Sequence, residues 1–269
     1  MMIDQQMIDS LDEDKIRTMI SPENAPSLSQ IQIFSELNST NTYLLECAKS
    51  GSPSGTVCFA EMQTAGRGRL GRPWHSPRSA NIYCSLLWYF SPNTENISAL
   101  SLVIAVSLLK TLQEYGVSGV SLKWPNDVLI AERKLAGVLL ESLPVTELGL
   151  PVVIGVGLNV FLLPSMGDTS HWIDLTEVMQ APIERNRLAG LLVDALLSAL
   201  RGFTADGLAA FLPQWQARDA LLNHVVTVHT AQNTVVGTAL GVNQLGELKL
   251  QISSGEILCF PCGEVSVRR

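Results

Sequence analysis

The sequence predicts an α+β fold: a mixed, largely antiparallel sheet packed by helices, followed by a small C-terminal β-barrel. Three observations carry that expectation. Short apolar segments at residues 119–124, 128–131, 135–143 and 152–160 are separated by turn signals, as in consecutive sheet strands. Two longer apolar stretches, residues 97–115 and 185–203, have helical periodicity. From His224 onward, strand-like runs alternate with turns at Asn243-Gln244-Leu245-Gly246 and Ser253-Ser254-Gly255, a spacing suited to a small barrel.

Taken in order, residues 1–30 form an acidic leader that is partly helical at best. It carries Asp4, Asp9, Asp12, Glu13 and Asp14 and is too short for a winged-helix module. No apolar run follows a basic start, so it does not read as a secretory signal. A larger domain is expected over residues 31–222 and the barrel over residues 223–269. Asn38-Ser39-Thr40-Asn41 reads as an N-cap cluster opening a short helix that Gly51 closes. Strands are expected at residues 56–62 and 81–90, and Gly116 ends the helix of residues 97–115. Residues 207–222 are read as a further helix with Trp215 on its inner face.

Composition narrows the function. Of the 269 residues, 46% are hydrophobic and only 16% charged, with mean hydropathy +0.23, which gives ample core and argues against disorder. A net charge of −7 and a pI near 5.1 leave no basic footprint for DNA. The apolar run at residues 100–109 is broken by Ser101 and Ser107 and is too short for a bilayer, so no membrane role is expected. Five cysteines, an odd number, suggest reduced thiols in a cytoplasm. Cys259-Phe260-Pro261-Cys262 lies among strand-like residues rather than opening a helix, and no second pair completes a zinc site. No resident metal site is expected.

The chemistry concentrates in three clusters. Between Glu61 and Glu95 there is no acidic residue, and in that gap lies Gln63-Thr64-Ala65-Gly66-Arg67-Gly68-Arg69-Leu70-Gly71-Arg72-Pro73-Trp74. Glycines allow backbone N–H groups to approach an anion, and arginines match phosphate geometry. The alternative readings are a solvated basic turn or an RNA-binding patch. Next, Lys123-Trp124-Pro125-Asn126-Asp127 is followed by Lys134-Leu135-Ala136-Gly137. A charge ending an apolar strand is costly unless paired, and a tight connection lets the two lysines face one site. Without the arginine loop, an ordinary strand end with exposed lysines would explain it. Last, Gly155-Val156-Gly157-Leu158-Asn159 puts glycines inside a strand, the mark of a bulge or a close backbone approach.

In this order the three clusters resemble the biotin protein ligase family, with Ser39-Thr40-Asn41 and Gln63 standing where that family places biotin contacts. The resemblance runs from about Ile31 to the C-terminus and is most specific over residues 39–159. Two positions depart from it: Asn38 stands where Asp is common, and Ser79 where glycine is common. The resemblance implies a class II synthetase-like catalytic domain of the biotin/lipoate ligase type with an SH3-like barrel. The implied activity is formation of biotinyl-5′-AMP from biotin and ATP with Mg²⁺, then transfer to a lysine of a biotin carboxyl carrier protein, an acetyl-CoA carboxylase subunit.

It implies biotin contacts from Ser39, Thr40, Asn41, Gln63, Arg67, Gly68, Arg69, Trp74 and Lys134. Nucleotide contacts would come from Arg67, Arg69, Arg72, Lys123, Asn126 and Asn159. Catalytic roles fall to Arg69, Lys123, Asp127 and Lys134, with Asp127 either deprotonating the acceptor lysine or simply pairing with Lys123. A monomer or weak homodimer is expected. The competing readings are a lipoate-attaching ligase, a biotin-responsive regulator, and a biotin-binding module without catalysis. The regulator would need DNA-binding equipment that the short leader does not offer, and the module would not need Lys123 and Lys134 beside three arginines.

Overall fold

The apolar strand segments assemble, in a computed structural model that describes residues 9–163, 169–230, 232–262 and 265–268, into one seven-stranded and one five-stranded sheet. The first comprises β1 (Gln30–Phe34), β2 (Thr56–Ala60), β3 (Ile82–Phe90), β4 (Val120–Lys123), β5 (Asp127–Ile130), β6 (Arg133–Ser142) and β7 (Leu150–Leu158) in the order β1-β2-β3-β7-β6-β5-β4. β1 and β2 pair in parallel and every other pair is antiparallel.

The period-2 alternation of strand side chains divides this sheet's burial between two faces. Val57, Phe59, Ile82, Leu86, Ile154 and Val156 join the main core, which includes the helices α3 (Leu100–Glu114) and α5 (Arg185–Asp206). Cys58, Leu87 and Val153 point the other way, onto Leu44 and Ala48 of α2 (Thr40–Lys49). The second face carries the site.

By length and composition Ile97–Glu114 and Arg185–Asp206 could each cross a bilayer, longer than the interrupted run read from the sequence. Their apolar windows are 72% and 61% buried inside the protein, which makes them core helices. α5 begins at a fully buried Arg185 and ends where Gly207 takes φ 64°.

Three segments differ from the sequence reading, the first being β1, a strand it does not expect. Only Leu212–Gln216, α6, is helical among the residues expected to form a helix from 207 to 222. The chain after it leaves the helix because β4 needs an edge partner: Leu122 donates to the Arg218 carbonyl at 2.7 Å and Ala220 to the Leu122 carbonyl at 2.8 Å. The short helix α4 (Leu175–Met179), capped by Asp174, has no counterpart in that reading.

The leader is firmly docked from Asp9 on, while its first eight residues, Asp4 included, lie outside the described residues. Asp12 caps α1 (Glu13–Arg17), and Ile16 is fully buried. α1 approaches α5 at Gly190, where a Cβ would come within 2.5 Å of Met19 Cβ and 2.7 Å of the Ile16 carbonyl. The last sheet is antiparallel, with β8 (Val225–His229), β9 (Thr234–Val242), β10 (Leu248–Gln251), β11 (Ile257–Phe260) and β12 (Ser266–Arg268) in the order β11-β10-β9-β8-β12.

Candidate functional site

Strand register places the floor of the site. Tyr83, Gly157, Gly137, Asp127 and Lys123 stand side by side across β3, β7, β6, β5 and β4. Next to that row run Ser85, Gly155 and Leu139. With three glycines in it, this face is hollow, and a cavity of about 320 Å³ opens above it. Its lining gathers Ser39, Thr40, Asn41, Gln63, Arg67, Gly68, Arg69, Arg72, Trp74, Asn126, Asp127, Lys134 and Asn159, every residue expected from the sequence except Lys123.

The polar end is built at the start of α2. Ser39 is the N-cap, and its own amide donates to Asn38 Oδ1 at 2.6 Å, so the asparagine supplies the acceptor that an aspartate would. Gln63 Oε1 accepts from the Thr40 amide at 2.9 Å, and its Nε2 donates to Ser76 Oγ at 2.8 Å. Ser85 Oγ lies 2.6 Å from Asn41 Oδ1 and 2.7 Å from Thr40 Oγ1. Asn41 packs onto Gly155, where a Cβ would meet its Oδ1 at 2.2 Å. The glycine gap here admits a protein side chain.

The basic loop folds back on itself. Gly68 N–H donates to the Arg72 carbonyl at 2.7 Å and Trp74 N–H to the Gly66 carbonyl at 2.9 Å, with Leu70 at φ 56° and Gly71 at φ 70° between them. Gly66 is required for closeness: a Cβ there would lie 2.4 Å from the Trp74 carbonyl. Arg67 turns to Glu141, its Nη2 lying 2.7 Å from both carboxylate oxygens. Arg69 reaches the other way, to Asn126 Oδ1 and the Val265 carbonyl, each at 3.2 Å. Burial lowers its pKa, opposed by the Asp127 carboxylate among its neighbours and reinforced by Arg72. Trp74 lays its indole over Gly157 and Gly137. Ser79 takes φ 54°, a conformation that explains a preference for glycine there.

Lys134 Nζ sits 2.5 Å from Asp127 Oδ1 and 5.2 Å from the centroid of the Trp74 ring. Lys123 stands beside Asp127 in register yet does not line the cavity. Burial lowers its pKa, Asp127 opposes that, and Lys134, Arg268 and Arg72 add to it. Asn126 donates to the Val138 carbonyl at 2.6 Å, and Asn159 Nδ2 donates to the carbonyls of Lys134 and Ile173, each at 3.2 Å. Both asparagines therefore brace the strands around the lysine while facing the cavity.

Four contributors escaped the sequence reading: Ser85, Glu141, Trp172 and Val265. Trp172 borders the cavity because residues 171–173 bond β6, with Lys134 N–H donating to the His171 carbonyl and Ile173 N–H to that of Lys134. Val265 comes from the opposite end of the chain. A local signal existed for Glu141 alone, as a charge ending an apolar strand.

The comparisons with known proteins agree on one family. The model of the biotin/lipoate A/B protein ligase family matches residues 33–159, the stretch holding all three clusters. The biotin–[acetyl-CoA-carboxylase] ligase of Mycobacterium tuberculosis is 32% identical over 262 residues, covering 95% of each chain. The chain belongs to the biotin protein ligase family. The bifunctional ligase/repressor BirA of Escherichia coli is 36% identical over 241 residues, covering 88% of this chain and 74% of that protein. Among solved structures, a biotin protein ligase from Aquifex aeolicus in complex with biotin and ATP is similar with TM-score 0.79 and 27% identity, covering 90% of this chain and 100% of that one. The seven-stranded sheet with its helices and the five-stranded sheet are thus the architecture of this family's solved members.

Proposed function

We infer that the protein is an ATP-dependent biotin–protein ligase, which activates biotin as biotinyl-5′-AMP and transfers it to a lysine of a biotin carboxyl carrier protein. The observation that carries this reading is a single cavity with a neutral polar end at Ser39, Thr40, Asn41 and Gln63 and a cationic end at Arg69, Arg72 and Lys134. Biotin has that polarity, an uncharged ureido ring at one end and a carboxylate at the other, and the carboxylate must meet a second anion.

In the first step a carboxylate oxygen attacks the α-phosphate and pyrophosphate leaves. Lys134 stands where both anions converge and would stabilise the charge that develops between them, while Arg69 and Arg72 cover the phosphates. Asp127 fixes the Lys134 ammonium at 2.5 Å. Asn159 and Asn126 hold the surrounding strands and border the nucleotide, and Trp74 covers the alkyl chain. Among the described residues no group of three His, Cys, Asp or Glu converges, and Asp127 and Glu141 are each ion-paired. A Mg²⁺ ion bound with the nucleotide would share the charge of the leaving pyrophosphate beside Arg69 and Arg72.

In the second step the acceptor amine, once neutral, attacks the mixed anhydride and AMP leaves. Among the described lining residues Asp127 is the one carboxylate, which makes it the candidate to receive the amine's proton. Lys123 acts on the site through Asp127. All five cysteines are free thiols, in keeping with a reaction carried out in the cytoplasm. The experiment is pyrophosphate release from ATP with biotin, with lipoate and with no acid: biotin-dependent release is expected, and release driven by lipoate alone would overturn the reading.

A further inference from the structure

Between Met62 and Thr94 the chain has no carboxylate, so the positive charge of the basic loop is neutralised from outside it. Glu141, on the rim of the cavity, does this for Arg67, with both oxygens 2.7 Å from Nη2. The same carboxylate accepts from Asn41 Nδ2 at 2.9 Å. Asn41 has Oδ1 2.6 Å from Ser85 Oγ, and its side chain fills the gap above Gly155. With a carboxylate on one side and a hydroxyl on the other, the amide has one favourable orientation; the flipped form would set Oδ1 against Glu141. Glu141 thus grips both the loop and the polar end of the cavity, and β6 fixes it in register with Val153.

We propose that Glu141 is a positioning residue that couples occupancy of the biotin subsite to closure of the basic loop, by orienting Asn41 and latching Arg67. A ligand that satisfies Asn41 steadies Glu141, and Glu141 then holds the loop over the adenylate. The ion pair is partly exposed, with 43% and 24% of the two side chains accessible, so its contribution to folding is small. Its effect is expected on ligand retention.

The proposal rests on the ligase reading, and the test separates the two. Wild-type protein with biotin and ATP is first assayed for bound biotinyl adenylate; if none forms, the ligase reading is what fails. With adenylate preformed on the wild type, Glu141→Gln, Arg67→Gln and the double variant, its dissociation is followed by chase, alongside KM for biotin and the melting temperature. Both single variants are expected to lose adenylate about five to ten times faster, the loss of one charge-assisted contact. Glu141→Gln alone is expected to raise the biotin KM as well, because only it frees Asn41. The double variant is expected to match the faster single one, and melting temperatures to stay within about 2 °C of wild type. Retention within twofold of wild type in both single variants, or a double variant whose loss is the product of the two, would overturn the coupling.

Discussion

The indole of Trp74 rests on the bare backbone of Gly157, where a Cβ would come within 2.4 Å of Cε2 and 2.5 Å of Cζ2. Lys134 Nζ stands 5.2 Å from the ring centroid, a cation–π contact, and both groups lie against Gly137, where a Cβ would come within 3.0 Å of Nζ and 3.1 Å of Cζ3. The aromatic ring and the ammonium assigned to the chemistry therefore share the floor of the sheet. The seating depends on an absent methyl group.

Gly157→Ala tests that seating. Alanine suits a strand better than glycine, so the fold should survive, but the ring must lift from the sheet. The expected result is a rise in the biotin KM of about tenfold, the scale of one lost side-chain contact, with a changed tryptophan emission spectrum. An unchanged spectrum and KM would show that Trp74 has other room.

The two lysines of the second cluster should separate in function. Lys134→Ala is expected to slow adenylate formation by about 10²–10³, since it removes charge aimed at the reacting phosphate. Lys123→Met is expected to have a far smaller effect, because Lys123 does not line the cavity. Its pKa is below the usual 10.5 through burial, so the fold disfavours the charged form. That penalty is full below the lowered pKa, fades as pH rises from there towards the unfolded value, and is gone above it. Lys123→Met should therefore melt higher than wild type at neutral pH, and the difference should shrink in alkaline buffer. Single-turnover adenylation and melting curves at several pH values check both parts.

Arg185 and Glu61 form a buried ion pair at 2.7 Å that ties four segments together. Arg185 also donates to the carbonyls of Asn81 and Asp9, each at 3.0 Å, and Glu61 accepts from the Leu11 amide at 2.7 Å. Arg185→Met would strand the carboxylate and leave three acceptors unmade. A loss of about 3–5 kcal/mol is expected, the cost of orphaning one member of a buried pair. Denaturant unfolding measures it, and a loss under about 1 kcal/mol would mean that water replaces the guanidinium.

Much of the site was legible because its parts are local. The basic loop, the Lys123–Asp127 turn and the Gly155–Asn159 strand end each announce themselves within a few residues. What the sequence withheld depends on register. Ser85 is one serine in an apolar strand, and it matters only because β3 sets it beside Gly155 and beneath Asn41. Trp172 and Val265 reach the cavity through pairings with β6 and Arg69 that no neighbouring residue signals. The expected helix at residues 207–222 failed for the same reason, since Ala220 answers to the edge of β4 rather than to its own periodicity. Docking of the leader was hidden because it rests on scattered residues, Leu11, Ile16 and Asn24, in an acidic stretch.

The loop of residues 64–79 should change its protease sensitivity with ligand. Arg67 is exposed, Leu70 at the tip is 53% exposed, and Arg72 is exposed, whereas Arg69 is half-buried against Asn126 and Val265. Without ligand the loop is held by a few hydrogen bonds and one rim ion pair, and its arginines repel one another, so local opening costs little. Trypsin is then expected to cut after Arg67 first, while the Arg72–Pro73 bond resists it whatever the state of the loop. Biotin with ATP places negative charge beside Arg69 and Arg72 and apolar surface against the free side of Trp74, which favours the closed state and excludes water from the anhydride. Cleavage after Arg67 and Arg69 should slow by about tenfold or more, in proportion to the fall in the open population. Arg69→Gly should largely abolish that protection, because the closed loop would lose its contact with the last sheet. Mass spectrometry of the early fragments identifies the bonds cut, and equal rates with and without ligand would show that the loop is a fixed wall of the cavity rather than a lid.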